Sequence, residues 1–270
     1  MRTAGNKAFT LVELVIVIAV IGILTTLIVP SLIRAVELAR RAVCNSNIRT
    51  IVQGLVQYSS DSQEMPKVPV SSWNTRIGTN RTSNPFSANS VRNHSSNLWL
   101  LAREEHVGLE AFVCPSTTDT PYEGEQIKNY WDFRSSLRIS YGLQSPYGYG
   151  GSLSILTPEG VVLVADGSPY VDPSTGNNPG KIKTNASIVD WGNENAGGEQ
   201  MQLWGNSPNH DSEGQNVGYF DGRAEWQTTA NCGKDGDNIY TATNHKTATS
   251  PGGNLTAGIK NNENDTLILP

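Results

Sequence analysis

The chain has 270 residues, with 25 Asp and Glu against 20 Lys and Arg, a formal net charge of −5, and only 17% charged residues. This acidic balance, without any basic run, argues against a nucleic-acid surface. Sparse charge with frequent Gly, Ser, Thr and Asn suits a loop-rich, β-containing protein outside the cytoplasm. Cys44, Cys114 and Cys232 lie far apart, with no CxxC or Cys/His cluster, which argues against structural zinc.

The first eight residues, MRTAGNKA, are polar, and Arg2 and Lys7 are their side-chain charges. Phe9 to Val29 then form an apolar run broken only by Glu13. As a helix it spans about 31 Å, close to a hydrocarbon core of about 30 Å. Positive charge before the span keeps the N-terminus cytoplasmic and sends the rest outward. A secretory signal has an apolar stretch of only about 7–15 residues. Here Pro30 is followed by SLIRAVELARRAV, which continues with helical spacing. A plain anchor gives no reason for Glu13, since an acid at the membrane centre costs about 2.5–3.5 kcal/mol.

The segment Ala8-Phe-Thr-Leu-Val-Glu-Leu closely resembles the processing site of type IV prepilins and type II secretion pseudopilins. The resemblance implies that prepilin peptidase cuts between Ala8 and Phe9 and methylates the new amine of Phe9. The residue before the cut is usually Gly in that family and is Ala8 here, also small. Glu13 becomes the fifth mature residue, which in the family neutralises the N-terminal amine of a neighbouring subunit during assembly. Gly22 and Pro30 fall at the family's helix-loosening positions. Thr25 and Thr26 between them are placed to bond back to helix carbonyls, while Pro30 has no N–H to donate. Expected partners are the peptidase, other pilin or pseudopilin subunits, the inner-membrane assembly platform and membrane lipid; no nucleic acid is expected.

From Pro30 to about Gln63 the helix continues. Ile33, Val36, Val43, Ile48, Ile51, Val52, Leu55 and Val56 form an apolar stripe, with Asn45 to Asn47 as a weak point. Met65-Pro66 ends it. Residues 66–96 read as loop. Leu98 to Glu105 reads as a short helix with cap candidates in Ser95-Ser96-Asn97. Strand candidates are Ala111–Cys114, Arg138–Leu143, Val161–Ala165, Met201–Trp204, Val217–Phe220 and Ala224–Gln227. The expected fold class is α+β, a long N-terminal helix packed on an antiparallel β-sheet head. Its divisions are a leader at 1–8, a transmembrane half at 9–29, an amphipathic half at 30–65, the head at 66–230, and a polar, exposed or partly mobile region at 231–270.

Asp221-Gly222 between strand-like runs predicts a hairpin with a two-residue type I′ turn. That register sets Tyr219 opposite Ala224 and Val217 opposite Trp226, with all four on one face. His210 falls near the strand entry in a structural hydrogen-bonding role. The segments CNSNIRTI, FVCPS, ISYGL and His210…Asp221-Gly222 are similar to a subgroup of large pseudopilin-like bacterial proteins. About nine residues separate the His from Asp-Gly in that subgroup; here ten do. Cys44 and Cys114 lie in two of these segments, and with an oxidising compartment the resemblance implies that they pair. Three unpaired thiols are the alternative.

No GxSxG, HExxH, P-loop or dinucleotide fingerprint occurs, and His94, His106, His210 and His245 sit in different segments without metal-ligand spacing. No catalytic residue and no enzyme activity is therefore expected; a membrane-tethered enzyme is the least favoured reading. An adhesive head is the stronger alternative, since six Trp and the Tyr147-Gly-Tyr149 pair offer aromatic faces. No cofactor is expected. Asp235, Asp237 and Asn238 are the candidates for calcium, which the major pseudopilins bind in a C-terminal loop, but a solvated turn fits them better. The reading adopted is a filament subunit. It is a single-pass inner-membrane protein with its head outside the cytoplasm, later part of a periplasmic pseudopilus or a cell-surface pilus.

Overall fold

The computed structural model describes residues 10–67, 92–124, 126–144, 160–169, 206–236, 238–240 and 268–269, with isolated positions at 73, 74, 77, 82 and 84. The chain divides into two compact units, Met1–Ala39 and Arg40–Pro270. Helix α1, Leu11–Ser62, runs through both.

In the first unit every side chain from Thr10 to Val36 is exposed. Pro30 lies inside the helix without ending it. Thr25 Oγ1 donates to Ile21 O at 2.7 Å, Thr26 Oγ1 to Ile23 O at 2.8 Å, and Ser31 Oγ to Ile28 O at 2.7 Å. These hydroxyls add polar contacts around the missing N–H of Pro30. The helix stops where Gln63 turns to φ 61°, a left-handed residue just past the last turn, ahead of Met65-Pro66.

In the second unit α1 buries Cys44, Ile48, Ile51, Val52 and Leu55, the i, i+4, i+7 face of an amphipathic helix. The expected stripe is narrower than predicted, because Ile33, Val36, Val43 and Val56 are exposed. Asn45 to Asn47 is no weak point either, since α1 continues through it. Asn47 Nδ2 donates to Val113 O at 2.9 Å and Asn45 Nδ2 to Asn216 Oδ1 at 3.4 Å.

The described strands are β1 (Trp73–Asn74), β2 (Arg92–Asn93), β3 (Tyr141–Gln144), β4 (Val162–Asp166), β5 (Gln215–Tyr219), β6 (Ala224–Gln227) and β7 (Ile268–Leu269). β1 and β2 pair in parallel. The other five form an antiparallel sheet in the order β6-β5-β4-β3-β7. Helix α2 spans Ser96–Arg103. Its Ser95 does not cap; the hydroxyl donates instead to Asp132 Oδ1 at 2.7 Å. Ala111–Cys114, expected as a strand, belongs instead to a 3-10 turn at Leu109–Phe112 and the segment after it. Arg138 likewise ends a 3-10 turn, Ser136–Arg138, before β3. The Met201–Trp204 candidate lies outside the described residues.

The sheet is covered on two faces. Ile48 and Val52 of α1 pack with Tyr141, Leu143, Leu163, Val164 and Ala224 in one core cluster. Val162, Ala165, Val217 and Tyr219 pack with Ile239, Tyr240 and Ile268 in another. Those last three come from the stretch read as an exposed tail; each is wholly buried. The hairpin exists, but one residue out of the expected register. Gly218 pairs with Ala224, Val217 with Glu225 and Asn216 with Trp226. The turn holds three residues, with Gly222 N–H donating to Tyr219 O at 3.0 Å and Gly222 at φ 86°. Asp221 keeps an ordinary negative φ, so the turn is not type I′. The slip has a physical cause. Gly218 faces α1 so closely that a Cβ there would come within 2.6 Å of Ile48 and Val52, while Val217 and Tyr219 fill the opposite cluster. Both faces of β5 are buried, so no solvent face on that strand selects the register.

Candidate functional site

At the start of α1 the Glu13 carboxylate turns back on its own helix. Thr10 N–H donates to Glu13 Oε2 at 2.9 Å, and Thr10 Oγ1 donates to the same oxygen at 2.7 Å. Glu13 N–H donates to Thr10 Oγ1 at 3.2 Å. Thr-x-x-Glu is thus a reciprocal capping box that satisfies donors the helix start leaves open. The one acid of the apolar run is occupied locally, at a helix end whose dipole favours negative charge. Ala8 and Phe9 lie outside the described residues. At Gly22 nothing lies within 4 Å of an added Cβ, so the position is open on the helix surface.

The head carries a second concentration of chemistry. Cys44 reaches in from α1 and Cys114 from the segment after the 3-10 turn, and a disulfide joins them across a Cα separation of 5.3 Å. Asp166 ends β4. His210 closes a 3-10 turn, Pro208–His210, whose cap Ser207 accepts from Asn209 N–H. All four side chains are wholly buried. His210 Nε2 lies 3.5 Å from Cys114 Sγ, 3.6 Å from Asp166 Oδ2 and 3.3 Å from Asn216 Nδ2. Asp166 Oδ1 accepts from Asn209 Nδ2 at 3.0 Å, and Oδ2 from Asn216 N–H at 2.6 Å. Burial pushes the Asp166 pKa up, against the His210 charge and these hydrogen bonds. The Trp226 ring meets the imidazole edge-on at 5.3 Å and carries the Arg41 guanidinium 4.2 Å from its centroid. Arg41 also pairs with Glu213.

The resemblance had implied that Cys44 pairs with Cys114, and His210 stood apart from them as a hydrogen-bonding residue, but nothing in the sequence pointed to Asp166. Sequence separations of 70 and 96 residues link Cys114 to Cys44 and His210, and no local pattern bridges them. A second buried set was missed as well: Asp132 accepts from Asn93 Nδ2 at 2.6 Å and from Ser95 Oγ at 2.7 Å. Among the calcium candidates, Asn238 spends its side-chain oxygen on Tyr240 N–H at 3.0 Å, and Asp237 lies outside the described residues. Of the tryptophans whose side chains are described, Trp99 is core, while Trp131 and Trp226 each lie under an arginine. Trp191, Trp204, Tyr147 and Tyr149 lie outside the described residues.

Residues 3–29 match the family model described as the prokaryotic N-terminal methylation motif. No curated protein and no solved structure matches the chain. The motif, the long apolar helix behind it and the antiparallel sheet are together consistent with a type IV pilin-like protein. Proteins with this motif are processed by prepilin peptidase and assemble with other pilin subunits, and the apolar helix fits anchoring in the inner membrane.

Proposed function

We propose that this prepilin-type chain is a structural subunit of a type IV pilus-like or type II secretion pseudopilus filament. Prepilin peptidase cuts it between Ala8 and Phe9 and methylates Phe9. The chain then waits as a single-pass inner-membrane protein with its head outside the cytoplasm, until the assembly platform adds it to other subunits. One observation carries this reading: the methylation motif leads into a helix whose side chains from Thr10 to Val36 are all exposed. So long an apolar surface needs lipid before assembly and neighbouring helices after it.

Glu13 makes the two states exchangeable. In the single chain its carboxylate is held by Thr10. In the filament the methylated amine of a neighbour's Phe9 supplies a full opposite charge, and a paired carboxylate in an apolar setting costs far less than an unpaired one. Gly22 and Pro30 mark the stretch where the helix adjusts during packing.

Glu13→Val tests the pairing. The span becomes more apolar, so membrane insertion should be unchanged, while filaments recovered by shearing or trapped by cross-linking should fall about tenfold or more, the effect of losing about 1.4 kcal/mol or more per contact. Wild-type filament yield from Glu13→Val would contradict the charge-pairing role.

A further inference from the structure

Cys44, Cys114, Asp166 and His210 come from four separate elements, yet their ligand atoms all lie within 4.8 Å of one another, wholly buried. The contacts within this group decide between two chemistries. A nucleophilic triad divides its contacts over the imidazole, with the nucleophile on one nitrogen and the carboxylate on the other. Here Cys114 Sγ at 3.5 Å and Asp166 Oδ2 at 3.6 Å both approach Nε2. Neither sulfur reaches solvent, so no substrate could meet a thiolate. Convergence on one point is instead how ligands stand around a cation. Bonds of about 2.0–2.3 Å in a tetrahedral site set neighbouring ligand atoms about 3.3–3.7 Å apart. Two edges of such a tetrahedron are already at that length, and opening the disulfide supplies the third.

The surroundings are built to match. Asn209 Nδ2 and Asn216 N–H hold the Asp166 carboxylate, and Trp226 sets the plane of the His210 ring. Such outer contacts orient metal ligands. Two thiolates with an imidazole and a carboxylate favour a zinc-class ion over calcium or magnesium, which take oxygen.

We infer that the chain, while Cys44 and Cys114 are still thiols, binds one zinc-class divalent cation through the two sulfurs, His210 Nε2 and Asp166 Oδ2, and that the disulfide and the bound cation exclude each other. Binding displaces the two thiol protons to solvent. Closure of the disulfide removes two electrons from the sulfurs. A disulfide oxidant accepts them and becomes a dithiol by taking two protons from solvent, and the cation leaves. The cation thereby holds α1, the segment at Cys114, β4 and the His210 turn together before oxidation locks the first two. The inference concerns the head and stands apart from the filament reading.

The test uses the full chain in detergent with Cys232→Ser, so that the third thiol does not compete. Reduced and kept from oxygen, it should bind one Co²⁺ per chain, with the strong visible bands of a tetrahedral site and a thiolate-to-cobalt charge-transfer band. Zinc should displace the cobalt, and the oxidised chain should show neither signal. His210→Ala and Asp166→Asn should each weaken zinc by roughly tenfold or more. X-ray absorption at the zinc edge, recorded with both ligand residues intact, does not depend on those variants folding; it should show two sulfur and two nitrogen or oxygen neighbours. The inference is overturned by a reduced chain that takes up no stoichiometric metal, by a zinc shell without sulfur, or by an oxidised chain that binds equally well.

Discussion

His94 sits wholly in the core, its Nε2 3.0 Å from Leu143 O, where the ring must donate. Burial holds its pKa down at about 4, against an ordinary 6.5, and the bond to Leu143 only partly offsets this. In the unfolded chain the ring binds a proton as pH falls through about 6.5, while the folded chain resists until about 4. Stability is thus fully present above about 6.5 and drains away as pH drops toward 4. Asp166 works in the opposite sense, because its raised pKa favours the folded state in acid. Comparison with His94→Gln, whose amide can still donate to Leu143, isolates the histidine. Denaturant melts of the full chain should show wild type losing up to about 3 kcal/mol more than the variant between pH 6.5 and 4. Parallel pH profiles for the two proteins would show that His94 is not held neutral. Glu13 is the contrasting residue: it was legible from sequence because a single charge in an apolar run stands out, whereas His94 has no pattern that betrays its burial.

Helix α1 and strands β4, β5 and β6 were legible because periodicity and β-branched runs are local signals. The hairpin register was not. Asp-Gly and the expected one-face grouping of Val217, Tyr219, Ala224 and Trp226 pointed to a two-residue turn, but the partners that decide the register, Ile48 and Val52 on one side and Ile239, Tyr240 and Ile268 on the other, are distant in sequence. The same blind spot turned core residues near the C-terminus into an expected tail. The three-residue turn makes a specific claim, since only Gly222 needs positive φ. Gly222→Val should cost about 1–3 kcal/mol. Asp221→Ala, which loses the bond from Arg223 N–H at 3.1 Å, should cost about 1 kcal/mol. Thermal melts of the two variants check this. An unchanged melting temperature for Gly222→Val would remove the turn, and equal large losses at both positions would favour the type I′ alternative.

At the scale of the whole molecule, the chain joins an exposed apolar helix to a head with cores on two faces of one sheet. The first unit presents the apolar surface that the proposed lipid anchoring and filament packing require, and the second closes over its own sheet. The head cluster drew its members from four elements, so only the fold could bring it together. The N-terminal motif lies within thirty contiguous residues, so its resemblance was readable from sequence, whereas the Thr10–Glu13 capping box was not. The filament reading stands on that segment, and intact mass of the purified mature protein tests it most directly. The expected mature chain begins at Phe9, its mass raised by one CH2 for the N-methyl group and lowered by two hydrogens for the Cys44–Cys114 disulfide. A mature chain that retains Met1 to Ala8, or begins at any other residue, would contradict it.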